Sequence, residues 1–329
     1  MKDTLQYLFD GNILSREEAK SSLLGVGKGL HTEAEFASFL TVFKMRPLHS
    51  DELAGFRDAM FELSTQVDLS GFEAIDVVGT GGDGKNTFNI STTSCFVLAG
   101  AGVNVTKHGN YAASSTSGAS NVLEFLGYKF SNDIDKLKSD LEKGGFCFLH
   151  APLFHPAFKH IAPVRKALKV PTFFNILGPM INPSAPKYQL LGVNNNENFE
   201  HYRNVFETLD INFAIVNSLD GYDEVSLTND TRIAERGTEQ ILSPADFGFS
   251  KLEPESLYGG DSVEDAARIF MNVLEGKATA AQTNVVLANS ALGLQLVHPQ
   301  KSLVDCVEIA KQSIESGKAL QKLKAVING

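Results

Sequence analysis

A glycine-rich loop between two apolar runs constrains this chain more than any other feature. Residues 76–92 read D-V-V-G-T-G-G-D-G-K-N-T-F-N-I-S-T, with four glycines, a lysine and several hydroxyl and amide side chains. Successive backbone N–H groups in such a loop form a concave anion site, and the free amides of a following helix add to it. The stretch is therefore typical of a strand, an anion-binding loop and a helix start in succession.

The pattern around this loop predicts an α/β fold with a separate helical part. Residues 1 to about 70 show helical spacing, with Ser15 and Thr32 as N-caps, Glu18 at a capping-box position and a third helix near Asp51. From Ala74 onward, short apolar strands alternate with helices, which predicts a parallel or mixed sheet flanked by helices. The helix after the loop is expected to have Ser91 or Thr92 as its N-cap and to stop at Gly102.

Two common nucleotide-binding motifs fit the loop poorly. A P-loop needs Ser or Thr after the lysine to hold magnesium, and Asn86 stands there. A dinucleotide-binding fold needs an acidic residue at the end of the second strand, whereas that strand ends in K-H-G-N, from Lys107 to Asn110. A cationic strand end favours a phosphate over a neutral ribose.

A third interpretation uses both halves of the loop. The turn G-T-G-G-D-G closes on one anion, and the helix start at N-I-S-T favours a second. Lys107 and His108 follow on the neighbouring strand, and S-S-T-S-G-A-S is another hydroxyl-rich turn that leads into a helix. Two helix-start sites with cations between them indicate a ligand with two phosphate groups.

Composition limits the other function classes. A length of 329 residues predicts roughly two domains, and a net charge of -10 argues against a general nucleic-acid surface. No apolar run approaches the roughly 18 residues of a membrane helix, so we expect a cytoplasmic protein without membrane contact. The three cysteines are spaced too widely for a zinc site or a disulfide framework and are expected to be buried: Cys95, Cys147 and Cys306.

At this point the residues identify a family. G-T-G-G-D-G-K-N-T-F-N-I-S-T, K-H-G-N and S-S-x-S-G resemble the anthranilate phosphoribosyltransferases of tryptophan biosynthesis. So do F-L-H-A-P-L-F-H-P-A, A-P-V-R-K-A-L, F-F-N-I-L-G-P-M-I-N-P, Q-L-L-G-V, D-G-Y-D-E-V-S and G-G-D-S-V-E-D-A. These segments occur in order along the chain, and together they are highly specific.

The resemblance implies the fold of the type II nucleoside phosphorylases. A helical domain of residues 1–70, joined by a segment near 165–185, accompanies an α/β domain of residues 71–164 and 186–329 with a mainly parallel sheet. It also implies a homodimer through the helical domains, Mg²⁺ as cofactor, and phosphoribosyl pyrophosphate and anthranilate as substrates. The implied products are N-(5-phosphoribosyl)anthranilate and pyrophosphate.

The resemblance also implies residue roles. Lys107, Asn110 and Arg165 are the implied catalytic residues, and Asn110, His155 and Arg165 face anthranilate. The implied metal residues are Ser91, Asp223 and Glu224. The donor is implied to contact the glycine loop, the helix start and the K-H-G-N turn, through Gly79, Gly82, Asp83, Thr87, Asn89, Ser91, Thr92, Lys107, His108, Gly109, Asn110, Ser114 and Ser115.

The chemistry of two of these positions supports their roles independently. Asp223 and Glu224 form a carboxylate pair after a D-G turn, and magnesium is held by one or two carboxylates together with substrate phosphates. Arg165 lies in a proline-rich segment, where its guanidinium could pair with the anthranilate carboxylate in a bidentate way. His155 could instead be a structural histidine satisfied by a backbone carbonyl.

Three positions depart from the family pattern, and two other functions stay open. Tyr111 stands where arginine is usual, Ala119 where serine is usual and Asn121 where aspartate is common. The alternatives are a pyrimidine-nucleoside phosphorylase, whose K-x-S-G-R-type signature is replaced here by K-H-G-N, and a non-catalytic relative that binds nucleic acid. The intact Asp223–Glu224 pair and the acidic balance argue against the second.

Overall fold

The computed structural model describes residues 1–112 and 116–328. Within them, contacts divide the chain into two compact units, Met1–Val67 with Ala151–Ala185 and Asp68–His150 with Pro186–Gly329. The second segment of the helical unit begins at Ala151, earlier than the predicted 165, so His155 belongs to this unit. Ser114 and Ser115 lie outside the described residues.

The helical unit contains seven α-helices among its described residues: α1 (Lys2–Phe9), α2 (Arg16–Gly27), α3 (Glu33–Met45), α4 (Ser50–Glu62), α8 (Ala151–Phe154), α9 (Phe158–Leu168) and α10 (Phe174–Leu177). The predicted capping boxes at Ser15 and Thr32 are both present. The core of the unit is aromatic, and the rings of Phe56 and Phe173 stack at a centroid distance of 4.3 Å.

The α/β unit is built on a seven-stranded sheet: β1 (Ala74–Gly79), β2 (Asn104–Gly109), β3 (Phe146–His150), β4 (Tyr188–Gly192), β5 (Asn212–Ser218), β6 (Thr231–Glu235) and β7 (Thr238–Leu242). The strand order is β3-β2-β1-β4-β5-β6-β7. The first five strands are parallel, and the last two pairings are antiparallel. The predicted mainly parallel sheet is confirmed.

Eight α-helices accompany this sheet in the described chain: α5 (Ile90–Gly100), α6 (Ala119–Phe125), α7 (Ile134–Gly144), α11 (Asn196–Phe206), α12 (Val263–Leu274), α13 (Ala280–Val297), α14 (Leu303–Glu315) and α15 (Lys318–Ile327). The apolar core is formed mainly by the strands, α5, α12 and α13, with fully buried residues such as Ile75, Phe96 and Phe270. All three cysteines are free and buried, as expected. No helix in the described ranges is long and apolar enough to cross a membrane.

The strand order places the glycine-rich loop at a topological switch point of the sheet, where the order of the strands reverses. β1 lies between β2 and β4, and Gly79 at the end of β1 is paired with Gly192 at the end of β4. In open α/β sheets, ligands bind outside the carboxyl ends of the strands at such a switch point. The loop after Gly79 and the start of α5 therefore lie where a ligand site is expected.

Candidate functional site

The glycine loop and the carboxylate pair meet, although they are far apart in the sequence. The backbone N–H of Gly81 donates to Oδ2 of Asp223 at 2.6 Å, and the N–H of Ser91 donates to Oε1 of Glu224 at 3.1 Å. The turn and the helix start that were predicted to bind anions thus lie beside the predicted metal-binding acids. In the structure, the two carboxylates themselves use the anion-binding amides.

Glycines lie where these segments approach each other most closely. A Cβ on Gly79 would lie 2.4 Å from Oδ2 of Asp223, and a Cβ on Gly192 would lie 1.6 Å from the Asp223 carbonyl oxygen. Gly81 and Gly82 adopt φ values of 64° and 71°, which side chains rarely tolerate. The glycines therefore let the D-E segment approach the ends of β1 and β4.

Three carboxylates share this region and perturb one another. Burial and the charge of Asp83 raise the pKa of Asp223 to about 7. Burial and the charge of Asp223 raise the pKa of Glu224 to about 8, while the Lys107 charge opposes that rise. Burial also raises the pKa of Asp83. Crowded acids of this kind are stabilised in their ionised form by a bound cation.

The chemistry of the acids fits a hard divalent cation. Carboxylate oxygens are preferred ligands of magnesium, which keeps several positions for water and substrate phosphates. No group of three or more His, Cys, Asp or Glu side chains in residues 1–112 and 116–328 is arranged to enclose a metal ion. Two carboxylates are enough protein ligands for magnesium where substrate phosphates supply others.

The start of α5 differs from the sequence prediction. The helix begins at Ile90, and Asn89 occupies the N-cap position without a side-chain cap hydrogen bond. The expected cap at Ser91 or Thr92 was wrong, because the helix starts earlier and the Ser91 amide pairs with Glu224. The predicted stop is confirmed, since Gly102 follows the helix with φ of 94°.

Polar atoms at the helix start are left available for a ligand. The side-chain nitrogen of Asn89 donates to the carbonyl of Ser117 at 3.0 Å. Oδ1 of Asn89, Oγ of Ser117 and Oγ1 of Thr80 are buried and have no hydrogen bond to any part of the described chain. Buried polar atoms without a partner are rare in native proteins and often mark a site for a ligand or water. Thr80 was not among the predicted site residues.

The rest of the loop is fixed by the G-G-D-S segment before α12. The side chain of Asn86 donates to the Gly260 carbonyl at 2.9 Å, and the Gly259 N–H donates to the Asn86 carbonyl at 2.7 Å. Thr87 forms an antiparallel bridge with Tyr258. Asp83 accepts from the Lys85 N–H at 3.0 Å. The late segment quoted in the sequence analysis therefore supports the loop.

The K-H-G-N residues lie at the end of β2. Lys107 is buried and its Nζ donates to the carbonyl of Val77 on β1. The His108 N–H donates to Oδ1 of buried Asp76 at 3.3 Å, and Gly109 ends the strand. Asn110 is exposed, and its Oδ1 accepts from the following N–H at 2.8 Å.

Two of the residues that differ from the family pattern, Tyr111 and Asn121, form local contacts. The Tyr111 hydroxyl donates to Glu124 at 3.2 Å, and its ring lies edge-on to His150 at 5.0 Å. Oδ1 of Asn121 accepts from the amides of Ala112 and Gly118, both at 3.0 Å. Asn121 therefore joins the backbone of Ala112 to that of Gly118. The structure shows no polar role for Ala119.

The residues predicted to face anthranilate divide between the two units. Arg165 on α9 is partly buried, its Nη2 donates to Oδ1 of Asn175 at 3.2 Å, and its guanidinium lies 5.3 Å from the Phe174 ring centroid. His155 is buried, and that burial lowers its pKa to about 4, so the ring is neutral near pH 7. Asn110 belongs to the α/β unit, whereas His155 and Arg165 belong to the helical unit.

Two family models match the chain. The glycosyl transferase family α/β domain matches residues 71–320, and the helical bundle domain of the same family matches residues 2–64. An anthranilate phosphoribosyltransferase from Phocaeicola vulgatus is 51% identical over 99% of both chains. One from Cytophaga hutchinsonii is 50% identical over 99% of this chain and 100% of its own.

Solved structures agree with these sequence matches. The crystal structure of anthranilate phosphoribosyltransferase from Thermus thermophilus has a TM-score of 0.92 and 32% identity, covering 99% of this chain and 98% of its own. The structure of the Saccharomyces cerevisiae enzyme in complex with PRPP and Mg has a TM-score of 0.90 and 29% identity. The match covers 98% of this chain and 96% of the yeast chain. Fold and sequence therefore point to one family.

Proposed function

We infer, because this chain belongs to the family of the anthranilate phosphoribosyltransferases, that it transfers phosphoribose from phosphoribosyl pyrophosphate to the amine of anthranilate. The contact of the glycine loop and the α5 start with one acidic pair carries this function. It unites amides for a diphosphate with acids for a cation. Such a pairing suits a phosphorylated donor that binds as a magnesium complex.

The donor is proposed to bind through main-chain amides and a few side chains. Amides from Gly81 to Gly84 and those of Ser91 and Thr92 face its phosphates, and the unpaired oxygens of Asn89 and Thr80 accept from its hydroxyl groups. Gly79, Gly82, Asp83, Thr87, His108, Gly109, Ser114 and Ser115 keep their predicted roles in donor binding as part of this proposal.

Asp223 and Glu224, with Asp83 nearby, are proposed to hold Mg²⁺, and Ser91 to contribute at the α5 start. When bound, magnesium neutralises the charge that develops on departing pyrophosphate. The solved structure of the Saccharomyces cerevisiae relative is a complex with PRPP and Mg, which supports this assignment. Lys107, buried on β2 beside the acids, contributes a fixed positive charge to the same region.

Catalysis by the chain's residues is proposed to be positional and electrostatic. The bond from the anomeric carbon to pyrophosphate breaks, the bond from the aromatic nitrogen to that carbon forms, and the nitrogen then loses a proton. Arg165 and Asn110 orient anthranilate, and His155 is proposed to contact it as a neutral ring. No general base is required, since the aromatic amine is already a free nucleophile at neutral pH.

We also propose a homodimer formed through the helical unit. Several large apolar side chains of that unit are exposed, including Phe9 at 61%, Leu30 at 71% and Met45 at 83%. Covering such side chains against a second copy of the chain would remove apolar surface from water and so favour association. Sedimentation velocity at several concentrations would detect the dimer, and a monomer at all of them would refute it.

The fluorescence of anthranilate provides the test of the activity. Its signal should disappear when the protein, phosphoribosyl pyrophosphate and Mg²⁺ are all present, and persist when either donor or metal is omitted. Phosphate-dependent release of a base from thymidine or uridine would instead support the phosphorylase alternative. A salt-dependent shift of DNA without turnover would support the nucleic-acid-binding one.

A further inference from the structure

A fully buried asparagine on α13 holds the backbone next to the acidic pair. Oδ1 of Asn289 accepts from the N–H of Val225 at 3.0 Å, and its Nδ2 donates to the Val225 carbonyl at 2.9 Å. The same nitrogen donates to the Val285 carbonyl at 2.8 Å. Asn289 is only 1% exposed, and Val225 directly follows Glu224. One side chain therefore satisfies both backbone groups of the residue after the acids.

A serine on β5 holds the same segment at its two neighbouring positions. Oγ of Ser218 donates to the Glu224 carbonyl at 2.7 Å. The N–H and Oγ of Ser226 both donate to Oγ of Ser218, at 3.2 and 3.0 Å. The backbone of residues 224–226 is thus fixed by side chains from two separate elements of the sheet and its covering helices.

The segment ends in an unfavourable backbone conformation. Leu227 is buried and has φ of 59°, in the left-handed region that a branched side chain rarely adopts. Such conformations persist when the surrounding structure over-determines them, and they cluster at functional sites. The bonds from Asn289 and Ser218 hold the residues just before Leu227, and the Leu227 carbonyl itself accepts from the Leu252 N–H at 2.9 Å.

We propose that Asn289 is a positioning residue that sets the direction of the Asp223 and Glu224 carboxylates through the Val225 backbone. This inference rests on the proposed metal role of the acids. Without Asn289, two buried backbone groups lose their partners, and the segment must shift to satisfy them. Because Asp223 and Glu224 reach the amides of Gly81 and Ser91 from that backbone, their carboxylates would shift too.

The test compares Asn289→Leu with Leu287→Ala, a control in the same helix. Leu287 is buried at 3% exposure, and it lies about 200° around the helix from Asn289. Both variants should melt at a lower temperature than the wild type. Calorimetric titration of Mg²⁺ into protein with inorganic pyrophosphate should show the difference, because only Asn289→Leu should weaken metal binding, by about 10–100-fold.

A second variant covers the case in which Asn289→Leu does not fold. Asn289→Ala removes the amide without adding bulk, so both backbone groups of Val225 lose this partner. A water that enters the space can bond those groups in part, so this variant should give a smaller loss of Mg²⁺ affinity in the same titration. Equal Mg²⁺ binding by Asn289→Ala and the wild type, or equal losses in Asn289→Leu and Leu287→Ala, would overturn the proposal.

The titration separates this inference from the proposed function. A wild-type protein that consumes no anthranilate, but whose Mg²⁺ binding depends on Asn289, would refute the activity and support the positioning role. A wild type that consumes anthranilate, but whose Asn289 variants bind Mg²⁺ normally, would support the activity and refute the positioning role. A wild type that binds no Mg²⁺ with pyrophosphate would overturn both the metal role of the acids and this inference.

Discussion

The Glu224 carboxylate accepts a hydrogen bond from the Ser91 backbone amide at 3.1 Å, across 133 residues of sequence. Asp223 makes the equivalent contact with Gly81 at 2.6 Å. A carboxylate that occupies an anion-binding amide must give way when a phosphate binds there. A cation that draws the carboxylates away would release the amides, so metal and diphosphate should bind together.

The first prediction concerns pH and the stability of the protein without metal. The folded-state pKa values of Asp223 and Glu224, about 7 and about 8, exceed the ordinary carboxyl values near 4. Between the ordinary and the raised pKa values, the folded state therefore holds more protons than the unfolded state. The free energy of unfolding falls as pH rises through that range. The double variant Asp223→Asn, Glu224→Gln should lose this pH dependence.

Thermal melts from about pH 5 to about pH 9 measure this effect. At the alkaline end, the amide variant should melt at a higher temperature than the wild type, and the difference should shrink at the acid end. Added Mg²⁺ with pyrophosphate should stabilise the wild type at alkaline pH and leave the variant almost unchanged. Parallel melting curves for both proteins would show that the acids are not perturbed.

The second prediction concerns the close approach at Gly79. A Cβ there would meet the Asp223 carboxylate at 2.4 Å, and that carboxylate can move because it ends a flexible side chain. Gly79→Ala should therefore fold but require about tenfold more Mg²⁺ for half-maximal turnover. Gly71→Ala is the matched control, since no atom lies within 4 Å of its added Cβ. An unchanged metal requirement in Gly79→Ala would contradict the assignment.

The third prediction concerns Arg165. Arg165→Ala should weaken anthranilate binding by about 1.5–3 kcal/mol, the range for a hydrogen bond to a charged group, with less effect on the donor. The exposed neighbour Lys166 provides the control. Lys166→Ala removes one positive charge at nearly the same place as Arg165→Ala does, but it removes no proposed contact. Steady-state KM values for each substrate measure the effect. Equal weakening of donor and acceptor would argue against the role.

Local signals in the sequence predicted a large part of the fold. The capping boxes at Ser15 and Thr32 depend on residues three positions apart, so they can be read directly. The strand before the glycine loop is apolar apart from Asp76, because both faces of the sheet are covered. The hairpin of β6 and β7 was not predicted, since T-E-Q-I-L is a largely exposed edge strand without apolar alternation.

The site itself was predicted in its parts but not in its contacts. Residue types and the family resemblance identified the glycine loop and the acids. Nothing local indicates that Gly81 pairs with Asp223, because the sheet order brings these residues together from 142 positions apart. Asn289 was not predicted, because a polar residue within a largely apolar helix does not identify its partner. The N-cap of α5 was predicted at Ser91 because serine is a preferred N-cap residue, whereas the structure has Asn89 there.

A crystal structure with phosphoribosyl pyrophosphate and Mg²⁺ tests the central claim most directly. The account predicts the diphosphate on the amides of the glycine turn and of Ser91, with Asp223 and Glu224 moved from those amides onto the metal. A donor bound elsewhere, with both carboxylates still hydrogen-bonded to Gly81 and Ser91, would contradict it.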